Sequence, residues 1–428
     1  MANSFKTILL GAAGSGGASY FITFVGTSGD ESAGHVMQDS SGNYYQATTP
    51  SAASYRGPGF AKYNKNGALI QNAQLNPTYT NQYCHNALVD GSNNTFLIGQ
   101  YRRSDGLRFA VSKLNSSGVV QWQKYYNNDY TNMMNGVIDS NGNILIHGFT
   151  NKGGPSSSFV SYVCKINTSG GIVWQKYYGT TLDDRAGQIG IDSSDNVYIS
   201  GYDDGERGHH CKINSSGALQ WQRELGSVNL WNGIGVSSGG NQLVCGRNIN
   251  GSLTTGLISL YNTSGSLQWS RKLSSGSTNF DAKTAAFDSA GNVYVSSTVY
   301  SSPYYGSIIK FNSSGTVQWQ RTFGIASSVN FQSPAISIDA NDDILIGSSG
   351  VVGGAGGQEI IFAKLPPDGS GTGQYGNFIY ASSSYTVGSV GTGDTGGNQL
   401  FGNTSYSGTD LTDMNASSKS FSQTTYSL

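Results

Sequence analysis

Tryptophans that recur every 47 to 52 residues, a tight-turn signature just before each, and a second turn signature upstream predict an all-β chain. The architecture they predict is a seven-bladed β-propeller of four-stranded antiparallel blades, closed by an N-terminal strand and followed by a Gly/Ser/Thr/Tyr-rich C-terminal extension. The tryptophans are Trp122, Trp174, Trp221, Trp269 and Trp319. Each ends a unit such as Lys212-Ile-Asn-Ser-Ser-Gly-Ala-Leu-Gln-Trp221. A short β-prone run reaches Asn, two small polar residues and Gly follow, and alternation of period two then resumes around Trp. That pattern is a hairpin of half-buried strands.

The upstream signature is Asp39-Ser-Ser-Gly-Asn43, repeated from Asp139, Asp192, Asp288 and Asp339, with Ser237 holding the Asp position once. Asp90 opens what reads as a turn one residue longer. Two hairpins per repeat give four strands, the content of one blade. Turn openings at Asp39, Asp90, Asp139, Asp192, Ser237, Asp288 and Asp339 count seven blades. The fourth-strand column holds only Gln71 and the five tryptophans, because the last repeat runs into Lys364-Leu-Pro-Pro367, and proline cannot supply ladder hydrogen bonds. Tyr20-Phe-Ile-Thr-Phe-Val-Gly26 supplies the missing strand. Aligned by its glycine, it puts Phe21 in the tryptophan column. The expected organisation is therefore an N-terminal arm at 1–19, the propeller at 20–365 with strand 20–26 closing its last blade, and the extension at 366–428. The extension is too polar to build its own core. It is expected to lie on the propeller or on a neighbouring subunit, adding strands around Phe378-Ile-Tyr380 and Gln399-Leu-Phe401. The apolar core of the N-terminus, Ile8-Leu-Leu10, is shorter than a secretory leader requires.

Composition narrows the partners. Charged residues make up 11% of the chain and the net charge is −1. No basic face tracks phosphates, so nucleic acid is excluded as an expected partner. No apolar run is long enough for membrane insertion by a helix. Cys84, Cys164, Cys211 and Cys245 form no C-x-x-C pair, and they read as buried free thiols rather than zinc ligands. The Asp turns lack the spaced carboxylates of a calcium loop; an Asp that caps its own turn explains them. The tryptophans read as packing between sheets, with Gln123, Gln175, Gln222 and Gln320 near the rim.

Blade four carries the one catalytic-looking group: Asp183, Asp184 and Arg185 before its first strand, and Asp203, Asp204, Glu206, Arg207, His209 and His210 around its second and third. Acidic loops neutralised by their own arginines are the expected outcome, with Asp203 and Asp204 in solvent. No nucleophile–base–orienter set, phosphate loop or nucleophile elbow accompanies them. The expectation is no enzyme, no cofactor and no metal.

Both tight turns of every blade fall on one face, and the variable connections between second and third strands fall on the other. That second face carries Tyr101, Tyr130, Tyr202, Trp231, Tyr300 and Tyr304, the candidate residues for ligand or host contact.

The Asp-Ser-Ser-Gly-Asn and Lys-Ile-Asn-Ser-Ser-Gly-x-x-x-Trp-Gln repeats resemble the seven-bladed repeat of bacterial surface proteins. They resemble still more the repeat of proteins encoded by marine tailed bacteriophages, over 20–365. The start, Asn3-Ser-Phe-Lys-Thr-Ile-Leu-Leu-Gly, and the propeller's end, Ala363-Lys-Leu-Pro-Pro-Asp-Gly-Ser-Gly, are similar to those phage proteins. The resemblance implies a virion structural protein, a tail or capsid appendage or fibre-like component, whose partners are other virion proteins and a host surface glycan or receptor. A homo-oligomer fits the same picture. The alternatives are a secreted or cell-surface carbohydrate-binding propeller and, behind it, a propeller glycosidase or lyase.

Overall fold

The structure is a computed structural model. It describes residues 4–12, 19–26, 32–49, 51–52, 55–56, 58–76, 82–103, 106–127, 131–150, 159–178, 183–205, 207–225, 229–250, 253–301, 304–325, 332–350, 359–375, 378–389, 409–410, 415–418 and 422–426. Seven antiparallel blades stand in a ring, each a meander of four strands. Blade four shows the plan: Asp184–Ile191, Val197–Asp203, Gly208–Ile213 and Leu219–Leu225, paired in that order. The first strands touch their neighbours all the way round, Gln332–Ile338 of blade seven meeting Ser32–Gln38 of blade one. Each first strand also carries a register shift, as between Ala33 and Val36 or Ala282 and Thr284. Bulges of this kind bend the inner strand and turn an extra residue out of the ladder.

The ring closes with the N-terminal strand. Ser19–Gly26 pairs with the third strand of blade seven, Phe21 opposite Lys364 and Val25 opposite Ile360. In other blades Trp122 stands opposite Lys113, Trp174 opposite Lys165, and Trp319 opposite Lys310. Phe21 is therefore in the tryptophan column. Its strand alternates between two cores: Ile22 and Phe24 join a cluster with Ile308 and Phe323 of blade six, while Phe21 and Val25 join Tyr44, Tyr63 and Leu69 of blade one.

The tryptophans pack between sheets, but at the rim and half-buried, and only Trp269 is fully buried. Each indole lies over the turn glycine of the next blade. A Cβ on Gly217, Gly265, Gly315 or Gly369 would stand 3.1, 2.8, 2.7 or 2.8 Å from the ring of Trp174, Trp221, Trp269 or Trp319. These glycines hold positive φ, 86° at Gly217, so both the backbone and the neighbouring ring require glycine. The indole N–H then donates to a carbonyl two residues before that glycine, as from Trp221 to Thr263 at 3.0 Å and from Trp319 to Pro367 at 3.2 Å. Gln71 performs the same role in blade one, its amide donating to Ser117 O at 3.1 Å. The glutamines after the tryptophans are not all rim residues: Gln123 and Gln175 are buried, and Gln175 accepts from the Tyr162 hydroxyl. Alternation turns them inward when their tryptophan faces outward.

On the opposite hairpin each Asp caps its own turn. Asp139 Oδ1 accepts from the backbone of Asn141 and Asn143, and Asn143 Nδ2 donates to Oδ2. Ser237 does this in blade five through its hydroxyl, which accepts from Asn241 N. The turn after Asp90 is not longer; it has the same 90-to-94 closure, with Asn93 at φ 61° in the glycine position. Asn and Asp tolerate left-handed backbone, and Asp195 and Asp342 occupy the same place in blades four and seven. These three side chains then receive a Ser of the preceding blade, as Ser140 to Asp195 at 2.6 Å and Ser289 to Asp342 at 2.6 Å.

Further strands lie on the outer edges. Ser4–Ala12 covers the closing strand of blade seven. Phe378–Ser382 pairs with the outer strand of blade six and Thr386–Ser389 with that of blade five. Thr409–Asp410, Asn415–Ser418 and Ser422–Tyr426 pair with blades three, two and one. Exposed sheet edges invite pairing with other chains, and among the described residues the chain's own ends occupy the outer edge of every blade but the fourth. The apolar run at Phe378 adds the expected strand; the one at Gln399–401 lies outside the described residues.

Candidate functional site

The Asp turns are occupied by their own backbone and by lysines. Lys165 reaches Asp139 at 2.7 Å, Lys310 reaches Asp288 at 3.5 Å, and Lys364 reaches Asp339 and Asp343 at 3.0 Å each. Burial works against charge at Asp139, but Lys165, Asn143 and the turn backbone outweigh it and hold its carboxyl below the usual range. This is the role of the repeat lysine in blades one, three, four, six and seven, whereas Lys113 of blade two reaches Thr168 O, and nothing in the turn signature alone announces it. Among the described residues no group of His, Cys, Asp and Glu is placed to hold a metal ion.

Blade four brings its acidic residues together without freeing them. Asp184 and Asp203 stand opposite one another across the first two strands, and both are buried. Asp203 pairs with Arg207 at 2.6 Å and accepts from the Arg207 backbone. Asp183 accepts from Phe159 N at 2.8 Å, and Arg185 lies over the Phe149 and Phe159 rings. The expectation of a solvated Asp203 is thus corrected. Strand pairing continues to Asp203, so its side chain turns into the blade while Asp204 remains exposed. His209 and His210 are buried too, their imidazoles pushed down to about 3 by desolvation.

The aromatic candidates divide. Tyr101 lies in Thr95–Arg103 and Trp231 in Asn229–Val236, within the ladders rather than on free loops. Their side chains, and all of Tyr130, fall outside the described residues. Tyr202 is half-buried at the end of Val197–Asp203. Tyr300 and Tyr304 come together on blade six, ring centroids 5.1 Å apart and planes at 74°. Tyr304 is 39% exposed, while Tyr300 has Lys283, an ion partner of Asp281, over its ring.

Beside Tyr304 is a cavity of about 680 Å³. It opens between blades five and six at the loop-face end of their outer strands. Tyr304 and Tyr305 form one side, Ser274 to Gly276 another, and Thr322 to Gly324 the base. Ile379 and Ser383 to Thr386, where the C-terminal segment crosses from blade six to blade five, complete it. None of its lining residues is an acid or a base of the Asp, Glu, Lys, Arg or His type. Gln320, directly after Trp319, fixes the crossing: its amide donates to Tyr385 O at 3.1 Å and its oxygen accepts from Tyr385 N at 2.7 Å. The Tyr385 ring packs on Phe280, centroids 5.1 Å apart. Desolvation pushes the Tyr385 phenol up to about 12. The hydroxyls of Thr322, Ser383 and Ser307 gather around it, yet the Tyr385, Ser383 and Ser307 oxygens are buried without a hydrogen bond of good geometry. Tyr304 could be named from the sequence but the cavity could not, because its walls come from segments distant along the chain, Ser274 to Gly276 and Ser383 to Thr386 among them.

No protein-family model matches the chain, and no curated protein matches it. Solved structures do. The polysaccharide lyase Uly1 aligns over 79% of this chain and 90% of its own, with a TM-score of 0.51 at 9% identity. A protein of unknown function from Bacteroides caccae aligns over 64% and 92%, with a TM-score of 0.40 at 13% identity. A gluconolactonase from Xanthomonas campestris aligns over 69% and 90%, with a TM-score of 0.39 at 11% identity. At such identities the likeness to Uly1 is one of fold alone, because propellers host unrelated functions. The chain is a seven-bladed β-propeller.

Proposed function

We propose that this chain is a non-catalytic structural protein of a tailed-phage virion, a tail or capsid appendage or fibre-like component, that contacts the host surface through its loop face. The observation that carries the contact is the cavity beside Tyr304, which offers aromatic rings and hydroxyls on a rigid scaffold. Loops held by a rigid frame are where binding surfaces concentrate. The virion assignment is supported by the phage-like repeat and ends of the sequence. Other virion proteins are the proposed partners, with a homo-oligomer proposed beside them. The same cavity would serve a secreted or cell-surface carbohydrate-binding propeller. Mass spectrometry of purified virions separates the two: stoichiometric recovery of the chain in particles supports the virion reading. Its absence from particles, with recovery from bacterial culture medium, overturns that reading.

A further inference from the structure

We propose that the cavity between blades five and six is a subsite for one uncharged pyranose ring of a surface glycan, with the C-terminal segment as a wall of the site. This rests on the host-contact reading of the loop face and names its ligand class. The cavity, at about 680 Å³, lies in the range of small-molecule sites, about 300–1,000 Å³. It has room for a sugar ring and its bound water.

Lining chemistry selects the class. The walls bear tyrosine, phenylalanine, serine and threonine, with no charged side chain. A uronate, sulfated or phosphorylated sugar would lose hydration there and meet no counter-charge. A neutral pyranose has one C–H face for an aromatic ring and a rim of hydroxyls that both donate and accept. Tyr304 presents the ring, held edge-to-face by Tyr300, so little freedom is lost when a ligand settles on it. Ser384 and Thr386, both exposed, supply accessible hydroxyls. Tyr385 and Ser383 also line the cavity, but their hydroxyl oxygens are sealed behind its wall beside those of Thr322 and Ser307.

Because Ile379 and Ser383 to Thr386 belong to the C-terminal segment, the site exists only while that segment is docked. Ligand binding and docking are therefore linked, and each stabilises the other.

The test is ligand-observed saturation-transfer NMR on the full chain. The probes are methyl pyranosides of glucose, galactose, mannose and N-acetylglucosamine, with methyl glucuronide as the charged comparison. At least one neutral pyranoside binds with millimolar affinity, and about 0.5 M salt leaves that affinity unchanged. Tyr304→Ala weakens it by about tenfold or more, while the melting temperature stays at that of the parent, since Tyr304 is exposed. Gln320→Ala, which frees the crossing segment, weakens it as well. No neutral pyranoside binding at millimolar concentration would overturn the subsite, as would binding indifferent to Tyr304→Ala or a preference for the glucuronide. Whole-cell attachment that persists when no pyranoside binds overturns the subsite and leaves the host-contact reading standing.

Discussion

The ring of Phe21, from the N-terminal strand, lies against Gly67 so closely that a Cβ there would stand 2.3 Å from it. It makes between blades seven and one the contact that Trp319 makes with Gly369 between blades six and seven. Phe21 has no N–H to donate, and two residues on the Thr23 hydroxyl donates to Gly67 O at 2.8 Å, as Arg321 Nε does to Gly369 O at 2.6 Å. The relation predicts an energetic coupling. Phe21→Ala removes a fully buried ring and costs about 3–5 kcal/mol. Gly67→Ala costs about 1–3 kcal/mol, through its φ of 79° and the clash. The double variant loses less than the sum, because truncating Phe21 opens the space the new methyl needs. Urea unfolding of the four proteins measures this; strict additivity would deny the contact.

In blade four the two neighbouring aspartates behave differently. Asp203→Ala leaves Arg207 and a turn amide without their acceptor, and stability falls by about 1–3 kcal/mol. Asp204→Ala, at an exposed position, stays within about 0.5 kcal/mol. Equal small effects in denaturant unfolding would mean that Asp203 is solvated after all.

Acid should destabilise the fold early. Burial lowers the pKa of His147, His209 and His210 from 6.5 to about 3 each. Above 6.5 these groups are neutral in folded and unfolded chains alike. As pH falls below 6.5 the unfolded chain takes up protons that the fold refuses, so stability is lost from there down towards pH 3. Burial also holds His35 and His85 down, to about 4 each, so they add to the loss over the same window. Stability measured in denaturant drops by about 2–6 kcal/mol between pH 6.5 and 5, with proton uptake on unfolding. A flat profile over that window would show the three imidazoles to be solvated.

Much of the ring was legible in the sequence, because strand alternation and turn chemistry are local. The seven Asp or Ser turns, the Phe21 column and the strand at Phe378 all follow from patterns a few residues long. What stayed hidden depends on neighbours far along the chain. Trp221 reads as core from its type, but the turn of blade five sets it at the rim, where its N–H meets Thr263. Asn93 disguised a turn of ordinary length, because Asn can hold the backbone that Gly42 and Gly142 hold elsewhere. The repeated lysines became explicable only once Asp139 and Lys165 stood 2.7 Å apart. The cavity needs Tyr304 and Tyr385 together, and no local signal joins them.

Ending the chain before 376 should be felt by the propeller itself. Phe378 and Tyr380 are fully buried, in the same cluster as Ile22 and Phe24. Their loss removes about 1.5–3 kcal/mol each and bares the outer edges of blades six and five. A lower melting temperature and greater self-association are expected, read by calorimetry and light scattering. A truncated chain with unchanged melting and size would place the extension off the blades.

Closure by the N-terminal strand is the claim on which the rest depends, and deletion of 1–26 tests it most directly. The truncated protein, supplied with or without a synthetic peptide of residues 19–26 in trans, is followed by calorimetry. Without the strand, blade seven exposes the edge of Glu359–Leu365 and the aromatic cluster around Phe362 loses Phe21. The account predicts aggregation or a large loss of stability, with partial recovery when the peptide is added. Cooperative melting at the parent temperature without the peptide would contradict it.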